Sequence, residues 1–102
     1  MRRLAAATAV GLIETAGGQE DVQSFAWEAA EKLSAALRHA HAVTACELLA
    51  GYQAAALSGR PPPPGCGPLL DWLAGIAGPI EGDRTFGQDV EDLIEASYRD
   101  WP

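Results

Sequence analysis

The chain has 102 residues, 48% hydrophobic and 7% aromatic, and its 14 acidic against 7 basic side chains give a formal charge of −7. That length holds one domain at most and a small core. The acidity excludes the basic surface that nucleic acid needs, and there is no run of about 18 apolar residues to span a membrane.

Strand-favouring residues are sparse, so the expected fold class is all-α, and the elements follow in chain order. Arg2-Arg3 and the apolar Leu4–Ile13 have the outline of a secretory leader. Glu14-Thr15 follow where a small-residue cleavage site belongs, so residues 1–16 are read as an N-terminal helix, Arg2 to about Glu14, and a turn. Leu4, Val10, Leu12 and Ile13 are expected to face a partner.

Residues 17–59 begin with Gly17-Gly18, a flexible turn, and from Gln19 to Ser58 there is no proline and one glycine, Gly51. This predicts a long helix from near Asp21 to about Ser58. Val22, Phe25, Ala29, Leu33, Ala36, Leu37, Ala40, Val43, Leu48, Tyr52 and Ala55 recur at three- and four-residue steps, as one packed face requires. Leu57-Ser58-Gly59 reads as its C-terminal cap. A helix so long in so small a chain cannot bury itself, which points to a bundle assembled from several chains.

Residues 60–67 form a proline-rich linker, in which Pro61–Pro64 hold an extended path. Residues 68–102 hold the C-terminal helices. One runs from about Pro68 to Ala77 and stops at Gly78-Pro79. The other runs from about Gly87 to Arg99, with Val90, Leu93, Ile94 and Tyr98 as its apolar stripe. The expected architecture is one long helix plus two or three shorter ones, completing a multi-chain helical bundle.

Few side chains look chemical. His39 and His41 lie two apart, on nearly opposite sides of a helix, and cannot share a metal; no metal site is expected. Asp89, Glu91, Asp92 and Glu95 read as an acidic face. Asp83-Arg84 reads as a structural ion pair or helix-end contact. Trp27, Trp72 and Trp101 read as packing anchors. Cys46 and Cys66 have no metal-like spacing, and nothing requires a disulfide between them, which fits a cytoplasmic location.

The string Gln19-Glu20-Asp21-Val22-Gln23-Ser24-Phe25 carries the strongest functional signal. Carboxylates in a first helical turn are ordinary capping chemistry. The whole string, however, resembles a motif of the aromatic amino acid ammonia-lyases and aminomutases. Histidine ammonia-lyases read Gln-Glu-Asp-His-Val-Ser-Met there, and phenylalanine ammonia-lyases read Asn-Gln-Asp-Val-Asn-Ser-Leu. The resemblance continues from about Thr15 through Cys46-Glu47-Leu48-Leu49-Ala50. Further on, Glu81–Phe86 and Asp89-Val90-Glu91 are similar to the family's Glu-Asp-Arg-Pro-Leu and Asp-Ile-Glu.

The resemblance implies roles. Glu20 falls where the family places an active-site residue near the substrate amine and its electrophile, so it is the candidate catalytic residue. Gln19 and Gln23 are candidates for substrate binding or support, and Asp21 for capping the long helix. Val22 stands where histidine lyases carry His, which weakens histidine as the substrate.

The family's electrophile, a methylidene-imidazolone, forms from an internal Ala-Ser-Gly, and no Ala-Ser-Gly occurs in this sequence. The family's tyrosine loop also has no counterpart, and its enzymes are several times longer. The expectation is a separate small subunit, inactive alone, of a two-component lyase or aminomutase for an aromatic or related amino acid. A large lyase-like subunit would carry the methylidene-imidazolone. The alternative is a non-catalytic helical assembly or regulatory subunit that binds a lyase-like partner. A free-standing four-helix bundle with no lyase connection is a third reading, opposed by the long Ala-rich helix and the small core.

Overall fold

The computed structural model describes residues 4–8, 26–79 and 81–102. These contain three α-helices and no strand: α1, Ala26–Ser58; α2, Gly67–Ala77; and α3, Gly87–Arg99. The all-α expectation holds. The chain divides into two compact units, Met1–His39 and Ala40–Pro102.

Each helix is written in its local chemistry. α1 lacks proline, is rich in alanine, carries Glu28 in its first turn, and pairs Glu28 with Lys32 one turn on at 3.0 Å. Its C-terminal end is the expected cap. Gly59 takes a φ of +61°, and Ser58 Oγ donates to the Ala55 carbonyl at 2.9 Å and accepts from the Arg60 amide at 3.2 Å. The start expected near Asp21 lies outside the described residues.

The linker ends in a tight turn. The Cys66 amide donates to the Pro63 carbonyl at 3.1 Å, with Pro64 and Gly65 (φ +89°) at the corners. Proline fixes the first corner and only glycine suits the positive φ of the second. α2 then begins with Pro68 in its first turn, where a missing N–H is harmless. Gly78, at φ +65°, ends it and returns its amide to the Ala74 carbonyl at 3.2 Å. α3 has Asp89 in its first turn and Arg99 in its last, both matched to the helix dipole.

In the unit Met1–His39, the described N-terminal stretch departs from expectation. Leu4–Ala7 form a turn and bends rather than the helix expected from Arg2, and Thr8 is in a 3₁₀ turn. A short helix is marginal on propensity alone, however many alanines it has. The rest of that expected helix lies outside the described residues. Lys32 ties the stretch to α1, its ammonium donating to the Ala6 carbonyl at 3.2 Å.

In the unit Ala40–Pro102, the core is Ala45 and Leu49 from α1, Leu73 and Ala77 from α2, and Leu93 from α3. Ala96 is buried as well. Leu48, Tyr52, Trp72, Ile76, Val90 and Ile94 pack around it, half-buried. The expected packed face of α1 is met in part, since its Leu48 and Tyr52 pack on this core. Leu33, Leu37 and Val43 are exposed at 61%, 55% and 50%. The face that packs is Ala45, Leu48, Leu49 and Tyr52. Alanine surrounds α1 on every side, so periodicity alone does not choose a face; the leucines delivered by α2 and α3 do.

Candidate functional site

Gln19, Glu20 and Gln23, the residues singled out by the motif, lie outside the described residues. So do Val22 and Phe25. Just downstream, Trp27 is 78% exposed, so it is a surface residue and not the packing anchor expected. Trp72 does pack on the core and meets Trp101 with ring centroids 5.9 Å apart.

The electrophile of the resembled family has no precursor here. The nearest tripeptide, Leu57-Ser58-Gly59, does not fit the role. Its serine hydroxyl bonds the backbone on both sides and its glycine closes α1. This is a helix cap.

The ionised groups of the unit Ala40–Pro102 do structural work. Arg84 clamps the entry to α3, and its partner is Asp89 rather than the neighbouring Asp83. Nη1 donates to Asp89 Oδ2 at 2.6 Å, and Nη2 donates to Oδ1 at 2.8 Å and to the Ala77 carbonyl at 2.9 Å. The guanidinium also lies 4.7 Å above the Phe86 ring. One planar fork thus joins the end of α2 to the start of α3, a geometry a lysine cannot copy. The hydrogen bonds from Arg84 hold the Asp89 carboxyl below its ordinary value, and the same bonds raise Arg84. Asp89 is buried, which removes it from the acidic face expected along α3.

Two further contacts join α1 to the C-terminal segments. Tyr52 donates its hydroxyl to the Gly78 carbonyl at 3.0 Å. His41 stacks on Tyr98, centroids 4.2 Å apart, and its Nδ1 lies 3.1 Å from Ser97 Oγ. Ser97 directs its single proton to the Ile94 carbonyl at 2.7 Å, so the ring nitrogen must be the donor to Ser97. Neutral His41 therefore holds its proton on Nδ1. His39 is exposed.

Between α1 and α2, behind the proline turn, lies an apolar groove of about 210 Å³. Leu48, Gly51, Tyr52, Leu69, Leu70 and Leu73 line most of it, with Glu47 and Cys66 as polar members. A second hollow of about 180 Å³ adjoins it across Tyr52, Ala55 and Leu70 and includes Arg60. Sequence reasoning read Arg84 as an ion pair or helix-end contact, which it is, but paired it with Asp83 instead of Asp89; it missed the groove. Gly51, alone inside an otherwise Ala-rich helix, was the available signal for the groove.

Among the described residues, no His, Cys, Asp and Glu group is arranged to hold a metal ion. No helix among them is long and apolar enough to cross a membrane. Both cysteines are free thiols.

The fold and site together define a helical scaffold whose longest helix presents unburied apolar side chains. The family model for aromatic amino acid lyases matches residues 1–74, and the chain belongs to that family. The match reaches upstream of Thr15 and includes the Gln19–Phe25 motif and all of α1. It stops at Ala74, so Glu81–Phe86 and Asp89-Val90-Glu91 lie beyond it. No curated protein and no solved structure matches the chain.

Proposed function

We propose that this chain is the small subunit of a two-component ammonia-lyase or aminomutase acting on an aromatic or related amino acid. One observation carries the reading: a lyase-family match over residues 1–74 that takes in the Gln19–Phe25 motif. A large lyase-like subunit would supply the methylidene-imidazolone that activates the substrate amine. This chain would contribute Glu20 and help complete the helical bundle. Both thiols being free is in keeping with a cytoplasmic setting.

Glu20 has two tasks in this reading. Its carboxylate pairs with the substrate ammonium and so orients it. A carboxylate in a partly desolvated site is suited to acid/base steps near neutrality, the property that would let Glu20 hold or release the proton that leaves with ammonia. The Gln19 and Gln23 amides support it by hydrogen bonding.

The test is reconstitution with the Ala-Ser-Gly-bearing lyase chain from the same source. Activity requires both chains. Glu20→Gln keeps the shape and removes the charge, so the rate falls about 10²- to 10⁴-fold, the range for losing a general acid or base, and one limb of the pH profile disappears. An unchanged rate and profile in an intact complex would leave this chain an assembly or regulatory subunit.

A further inference from the structure

We draw no further inference here: the strongest candidate, the apolar stripe of Val43, Cys46, Ala50 and Leu57 along the exposed side of α1, carries nothing because no observation in the structure shows what covers it.

Discussion

Leu93→Ala is the sharpest test of the fold. Leu93 is 1% exposed, and its side chain and that of Leu73 are the largest that are fully buried among the described residues. The truncation removes three carbons, worth about 2 kcal/mol at roughly 0.8 kcal/mol per buried CH₂. The cavity left behind adds to this, for a total of about 3 kcal/mol within the usual 2–5. Among the described residues the buried apolar set is three leucines and three alanines, so little there compensates. A domain of this size holds about 5 kcal/mol at the lower end of the common range, and most of that would be gone. The companion is Leu37→Ala, at a side chain 55% exposed. It replaces one good helix former with a better one and should stay within about 0.5 kcal/mol of wild type. Urea unfolding followed by far-ultraviolet circular dichroism measures both. Equal effects, or a loss below about 1 kcal/mol for Leu93→Ala, would refute the packing of α3 on α1 and α2.

Three further predictions follow from single groups. The Arg84 clamp lowers the Asp89 pKa, so its contribution is complete above the ordinary carboxylate pKa and declines as pH falls through the depressed folded value. Asp89→Asn should therefore be less stable than wild type at neutral pH, with the gap in urea midpoint closing in acid; a pH-independent gap would contradict the clamp. Gly51→Ala should stabilise the free chain by about 1 kcal/mol, because the site is helical and open, and a lower melting temperature would show that α1 bends there. Gly78→Ala should cost about 1–3 kcal/mol, since φ +65° with ψ −171° belongs to glycine; an unchanged melting temperature would mean that α2 ends differently.

Local punctuation was legible in the sequence. Gly59, the Pro61–Pro64 run, Pro68 and Gly78 mark where helices stop and start, because each acts through its own backbone; the Pro64-Gly65 turn that closes the linker was not anticipated. The ends of α2 and α3 fell within a residue of expectation for that reason. At a distance the outcome is mixed: the Val90, Leu93 and Ile94 stripe of α3 and the Trp72 anchor do pack on the core, while other expectations failed. The face of α1 was only partly foreseen because alanine gives each side of the helix a similar pattern. Asp89 looked like one member of an acidic stripe because the arginine that pairs with it arrives from a preceding loop. Trp27 read as an anchor on residue type, yet no described neighbour covers it. The catalytic assignment came from a motif alone, and its residues, Gln19, Glu20 and Gln23, stay outside the described structure. The family match covers them without assigning them roles.

The three-leucine core also bears on supply. A unit packed on so few buried leucines spends a larger share of its time unfolded than a well-filled domain, and unfolded chains are what cellular proteases remove. Under the two-chain reading, assembly adds the burial that the chain lacks and shifts it towards the folded form by mass action. Copies made in excess of the partner are cleared, while assembled copies persist. On that reading the thin core would make turnover a counting device, matching the amount of this subunit to the amount of its partner without any regulator acting on synthesis.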